Sequence, residues 1–219
     1  PMDLEHRARV HAALGDPQRL TIADALTISD LTVTDIGTLV DMPSNLLAHH
    51  LDVLEDADVI TRRVSDGDRR RRYVVLNPTV AALITHGSPA VDMTPLFVCT
   101  RNSARSQFAA ALWSDRTGTS IESAGSHPAQ RLHPLTVAVA AEYGLDVTGA
   151  RPRGYREIGH QPDIVISVCD RAAEAPMPFG GARLHWSIPD PADGGDIHDF
   201  RSSFADIAER VDRLLVEDV

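Results

Sequence analysis

Near Pro95 the spacing of apolar residues changes its period, and this change constrains the fold more than any other feature of the chain. Beyond it, short apolar runs at 96–98, 120–124, 164–168 and 183–188 alternate with longer amphipathic stretches at 104–116, 134–143 and 200–215. That alternation predicts an α/β domain, a four-stranded parallel sheet covered by helices on both faces. Before it, residues 4–84 carry helical periods broken by turn signals at Gly15-Asp16-Pro17, Ser29-Asp30 and Asp41-Met42-Pro43. A short basic hairpin follows, ending in the strand run Tyr73-Val74-Val75-Leu76. The chain therefore reads as two domains: an α+β domain over 2–86, a linker over 87–94 and an α/β domain over 95–219.

Charge and cysteine usage narrow the functions available. A formal net charge of −10 argues against broad nucleic-acid affinity, so any DNA contact needs a local basic patch. Cys99 and Cys169 are the only cysteines of the sequence. Two thiols cannot build a zinc cluster of four thiolates, and no metal centre is expected. In a reducing compartment such a pair points to redox or nucleophilic chemistry. No run reaches the length of a membrane span and no signal-peptide plan opens the chain, so a cytoplasmic location without membrane attachment is expected.

The sharpest motif follows Leu96-Phe97-Val98. It reads Cys99-Thr100-Arg101-Asn102-Ser103-Ala104-Arg105-Ser106 and passes at once into a helical pattern. On a strand-to-helix turn of this kind the backbone N–H groups of residues 100–106 can converge on a tetrahedral anion at the positive end of the helix. Arg105 can then fork onto the anion's oxygens. The same field favours thiolate over thiol at Cys99, and Ser106 can donate a hydrogen bond to the sulfur. Asn102 suits a left-handed turn position.

This run resembles the low-molecular-weight tyrosine phosphatase family and its arsenate reductase branch, and the likeness extends to Ser123-Ala124-Gly125, Leu132-His133-Pro134 and Pro189-Asp190-Pro191. The resemblance implies a cysteine nucleophile at Cys99, oxyanion binding by Thr100, Arg101, Asn102, Ser103, Ala104, Arg105 and Ser106, and a general acid at Asp190. Phosphatases of the family usually continue Arg-Ser with proline and carry tyrosines after the Asp-Pro pair; here stand Ser106-Gln107 and Pro191-Ala192-Asp193. That departure favours arsenate as substrate, with phosphate or sulfate as competing anions. The segment Val168-Cys169-Asp170 resembles the resolving-cysteine region of thioredoxin-coupled reductases, although the further cysteine of that pattern is missing before Pro176. No bound cofactor is expected. The implied reductant is external, either thioredoxin or mycothiol with its mycoredoxin. Two alternatives stand beside this reading: a low-molecular-weight tyrosine phosphatase, and an oxyanion- or redox-sensing transcriptional regulator without turnover.

In the first domain three segments occur in order: Ala12 to Ile22, Leu31 to Ile36 and Leu46 to Glu55. They resemble the ArsR family of winged-helix repressors. The resemblance implies a winged helix-turn-helix, a homodimer formed through this domain, and operator DNA as a partner. Ser44, Asn45, Leu47 and His49 are the expected major-groove residues, and Arg69, Arg70, Arg71 and Arg72 the basic wing. Metalloid-sensing members carry cysteines where this chain has Thr32 and Thr34, so arsenite sensing at that site is not expected.

Overall fold

The computed structural model describes residues 3–81, 83–84 and 93–215. The boundary expected at 86 and all of the expected linker except Met93 and Thr94 lie outside the described residues. The described chain falls into two compact units, one N-terminal and one C-terminal.

The N-terminal unit begins with α1 (Leu4–Leu14) and α2 (Pro17–Ile28). The turn signals between its helices act as caps. Asp16 accepts from the N–H groups of Gln18 and Arg19 ahead of Pro17, the helix's first residue. A short strand β1 (Leu31–Thr32) then runs into α3 (Val33–Val40), and Thr32 and Asp35 cap each other's backbone reciprocally. Thr32 is thus spent on capping, and Asp41 ends α3 in the left-handed conformation at φ 45°.

Next come α4 (Ser44–Asp56), β2 (Ile60–Val64), β3 (Arg72–Leu76) and α5 (Pro78–Ala81). The three strands form an antiparallel sheet in the order β1-β3-β2, and β1 was not legible in the sequence. The core gathers Val10, Ile22, Leu26, Ile36, Leu47, Leu51, Leu54, Val74 and Leu76.

One expectation fails here. Leu47, placed among the groove-facing residues, is only 3% exposed, and a Cβ on Gly37 would lie 3.3 Å from its Cδ2. It shares the inward face of α4 with His50, Leu51 and Leu54, the helical spacing of a core stripe, and cannot reach a base edge. Ser44, Asn45 and His49 on the same helix are exposed, as are Arg69 to Arg72.

The C-terminal unit is built on four parallel strands, β4 (Pro95–Cys99), β5 (Ser123–Gly125), β6 (Ile164–Ser167) and β7 (Ala182–His185), in the order β5-β4-β6-β7. Alternate residues of β4 serve opposite faces. Phe97 and Cys99 join a cluster with Phe108, Trp113, Trp186 and Phe204, while Leu96 and Val98 pack with Ala124, Val165 and Phe179. Burial on both faces explains why β4 and β6 read as continuous apolar runs.

The helices are α6 (Arg105–Thr117), α7 (Pro134–Glu142), the short α8 (Asp170–Glu174) and α9 (Pro191–Gly194), and α10 (Ile197–Leu214). Two strands depart from their expected bounds by more than one residue. Pairing of β5 with β4 starts only at Ser123↔Phe97, the N–H of Ile121 being given to Ser114 Oγ instead. Past His185 the chain leaves the ladder through a tight turn, Ile188 N–H bonding Trp186 O at 2.9 Å. Among the described residues no helix is long and apolar enough to cross a membrane.

Candidate active site

The C-terminal ends of parallel strands share one edge of a sheet, and here that edge collects the reactive side chains. Cys99 closes β4, opposite Gly125 of β5, and Cys169 follows β6 after Val168, whose N–H bonds Val98 O at 2.8 Å. Both thiols are free and 2% exposed.

The loop from Cys99 to Arg105 is turned outside in. Its carbonyl oxygens are taken by the segment after β5: Cys99 O by Ser126 N–H, Thr100 O by His127, Arg101 O by Ala129, and Ser103 O by His133 N–H and Thr136 Oγ1. In a trans peptide the N–H points opposite to the C=O. Fixing those four carbonyls outward therefore turns the N–H groups of Thr100, Arg101, Asn102 and Ala104 toward the concave side. One of them is seen at work, Asn102 N–H donating to Cys99 Sγ at 3.1 Å. Ala104 stands at the N-cap of α6 and offers no side-chain cap, so the first N–H groups of that helix are left for an anion.

Asn102 holds the turn. It is fully buried with φ 47°, a left-handed value that asparagine tolerates better than most residues. Its Nδ2 donates to Ser106 Oγ (2.9 Å) and Ser123 Oγ (2.8 Å). Its Oδ1 accepts from Arg153 N–H (2.8 Å) and Gln107 Nε2 (3.1 Å). Ser106 Oγ lies 3.0 Å from Cys99 Sγ, so the sulfur faces a hydroxyl that is itself positioned by Asn102.

Gly125 explains why a small residue sits across the strand. An added Cβ would lie 2.7 Å from Thr100 O and 3.0 Å from Asn102 N, so the cradle and β5 are in backbone contact. Gln107, Ser123 and Gly125 were not assigned roles from sequence; the serine-alanine-glycine run was the available signal for close backbone approach.

Arg105 is buried, its Nη1 donating to Ile188 O at 2.8 Å and its Nη2 to Asp190 Oδ2 at 2.7 Å. The turn that ends β7 early is what delivers Ile188 O. Burial works against the guanidinium charge, but Cys169, Asp190 and Cys99 around it hold its pKa above the ordinary arginine value. Asp190 uses its other oxygen, Oδ1, to cap α9 through Ala192 N–H at 3.1 Å. Burial pushes the Cys169 thiol up, and the charge of Cys99 adds to this, while Arg105 and Thr100 pull the other way. Thr100 Oγ1 lies 3.5 Å from Cys169 Sγ. Behind Cys169, buried Asp170 is held below the usual carboxylate range: burial opposes this, but the hydrogen bonds it accepts, led by that with His185, outweigh it.

The structure thus brings Cys99, Thr100, Asn102, Arg105, Ser106, Cys169 and Asp190 to one edge. Of the expected oxyanion-binding residues, Arg101 has an exposed side chain, and only its backbone belongs to the loop's inner face. The expected groove and wing residues belong to the other unit. Among the described residues no group of three or more histidines, cysteines or carboxylates could hold a metal ion.

Comparison with known proteins follows the same division. The family model for low molecular weight phosphotyrosine protein phosphatase matches residues 95–219. The glutaredoxin arsenate reductase of Synechocystis is 30% identical over 132 residues, covering 56% of this chain and 95% of the relative. The arsenate reductase of Bacillus licheniformis is 33% identical over 131 residues, 55% of this chain and 94% of the relative. The crystal structure of the Archaeoglobus fulgidus arsenate reductase superposes with a TM-score of 0.50 at 32% identity, covering 55% of this chain and 97% of that one. A cysteine in a loop of inward amides, an arginine clamped beside it and a family model spanning the whole unit agree: the chain belongs, through residues 95–219, to the low molecular weight phosphotyrosine protein phosphatase family.

Proposed function

We propose that the C-terminal unit reduces arsenate to arsenite at the expense of thiols, with Cys99 as nucleophile. The observation that carries this reading is the cradle itself: four loop carbonyls tied outward, amides facing inward, and the Cys99 sulfur bonded by Asn102 N–H at its centre. Relatives whose lengths this chain covers almost completely are named arsenate reductases, which favours arsenate over other tetrahedral anions. No aromatic wall follows Asp190, where Ala192 and Asp193 stand, so a phosphotyrosine ring has little to pack on.

In the proposed reaction the loop amides and Arg105 bind the oxyanion, and the Cys99 sulfur forms a bond to arsenic. An As–O bond breaks, and Asp190 supplies the proton with which that oxygen leaves as water. Cys169 thiolate then attacks Cys99 Sγ. The S–S bond forms as the S–As bond breaks, and its electron pair stays on arsenic, which departs as arsenite. The two electrons come from the two thiols, and an external dithiol such as thioredoxin restores them; in the alternative route a small thiol such as mycothiol, with its mycoredoxin, resolves the Cys99 adduct in place of Cys169. The chemistry requires a reducing compartment such as the cytoplasm.

For the N-terminal unit we propose a winged helix-turn-helix that dimerises and binds operator DNA, with domains at 2–86 and 95–219 and a linker at 87–94. Supporting this are exposed Ser44, Asn45 and His49 on the leading part of α4 and exposed Arg69 to Arg72 at the β2–β3 hairpin.

The test supplies the full chain with arsenate and either a thioredoxin or a mycothiol–mycoredoxin system, in parallel with p-nitrophenyl phosphate. Arsenate-dependent oxidation of NADPH with one of the two systems is expected. Ester hydrolysis without arsenate turnover selects the phosphatase, and neither activity together with anion-dependent DNA release selects the sensor.

A further inference from the structure

We propose that Tyr155 is a further oxyanion-binding residue, its phenol donating a hydrogen bond to the anion held in the Cys99 cradle. Nothing in the motif points to this residue. It is the tertiary arrangement that singles it out.

Gly154 forms an isolated parallel bridge with Gly125, which in turn pairs with Cys99. Cys99, Gly125 and Gly154 therefore stand in a row across the edge that carries the cradle, and Tyr155 lies one residue beyond that row, as Ser126 does beyond Gly125. Ser126 N–H is bonded to Cys99 O, so this row is joined directly to the nucleophile's own peptide. The Tyr155 ring packs edge-on against Phe179, 5.5 Å between centroids, which fixes the direction of its phenol.

That hydroxyl is buried and makes no hydrogen bond within the protein. Ser126 Oγ is its polar neighbour, itself 3.1 Å from His127 Nδ1, and the phenol makes no bond of normal length to it. Buried polar groups are nearly always paired, and one left unpaired costs stability without return in the resting protein. Such a group beside a site built for an anion is explained if the missing partner is the ligand. Burial and the nearby charges of Cys169 and Cys99 push the phenol well above its ordinary ionisation range. Tyr155 therefore remains a donor wherever the enzyme works, which suits it to bind an anion rather than to exchange protons.

This inference rests on the oxyanion-binding reading of the cradle, and inorganic phosphate separates the two, because its binding needs no turnover or reductant. Calorimetric titration of the reduced full chain with phosphate is run on the native protein and on Tyr155→Phe, alongside their Tm values and their KM for arsenate. Tyr155→Phe removes only the oxygen and keeps the ring on Phe179. The expected result is an unchanged or raised Tm with phosphate Kd and arsenate KM both weakened about threefold to tenfold, the range of one lost hydrogen bond. Equal phosphate affinity in the two proteins overturns the inference while leaving the cradle reading intact. A Tm that falls by several degrees also overturns it, since the hydroxyl would then have a partner within the protein. If the native chain binds neither phosphate nor arsenate, the reading of the cradle falls, and this inference with it.

Discussion

Gly125→Ala tests the claim that strand β5 braces the nucleophile loop. An alanine Cβ would sit 2.7 Å from Thr100 O and 3.0 Å from both Asn102 N and Asn102 Cβ. Ordinary van der Waals contact begins near 3.4 Å, so the loop must retreat by about 0.7 Å at Thr100. It has little freedom to do so, because Thr100 O is bonded to His127 N–H at 2.9 Å and Asn102 is fixed at both ends of its amide. The displaced peptide is the one whose N–H, that of Arg101, is turned toward the concave side of the loop. Overpacking of this kind costs about 1–3 kcal/mol of stability. A misplacement approaching 1 Å at reacting groups costs on the order of 100-fold in rate. Gly125→Ala is therefore expected to remain folded with a modestly lowered Tm, while kcat/KM for arsenate falls about 10- to 100-fold and phosphate binding weakens with it. Coupled NADPH oxidation, phosphate calorimetry and thermal melting read the three quantities. A folded Gly125→Ala protein that keeps more than about half of its kcat/KM would show that the loop does not depend on β5, and the bracing argument would be wrong.

Further outcomes follow from the structure. Arg105→Lys keeps the charge but cannot reach Ile188 O and Asp190 together, so oxyanion affinity should fall about 10- to 100-fold while the protein stays folded; unchanged phosphate Kd would refute the forked geometry. Cys169→Ser should bind phosphate normally yet fail to turn over with thioredoxin alone, and full turnover would remove Cys169 from the relay. Because burial and then the Cys99 charge raise the Cys169 thiol, Cys99→Ser should move Cys169 alkylation to lower pH. The same raised value has a consequence for stability. The folded state keeps the proton after the unfolded thiol, whose ordinary value is 9.0, has lost it, so this group's stability contribution is lost as pH rises beyond that point. In the N-terminal unit, replacing Arg69 and Arg70 by alanine should weaken operator binding across all sequences and flatten its salt dependence by about one unit of slope per lost phosphate contact; an unchanged slope would exclude the hairpin from the DNA.

Much of the catalytic edge was legible because its chemistry is local. Cysteine, arginine and serine on a strand-to-helix turn are separated by a single loop, and their roles depend on backbone direction that strand and helix patterns already specify. The start of α2 was legible for the same reason: Asp16-Pro17 is capping chemistry written in neighbouring residues. Leu47 shows the limit of motif position. Its place in a recognition-like segment suggested the groove, whereas its spacing from Leu51 and Leu54 put it in the core. The end of the strand at His185 was misjudged because apolar runs mark burial, and burial continues through Trp186 and Ile188 past the last ladder pair.

What the sequence alone determined is the alternating α/β half, the helix-rich first half with its basic hairpin and the strand-to-helix position of Cys99, since apolar period and short-range turn chemistry are properties of neighbours along the chain. Only the tertiary structure decided that Ile188 O and Asp190 clamp Arg105, that Gly125 touches the cradle, that Cys169 stands beside Thr100, and that the Tyr155 hydroxyl is left without a partner. Those relations join residues far apart in the chain, and they exist because parallel strands deliver their C-terminal ends to one edge, where distances are set by packing rather than by sequence separation.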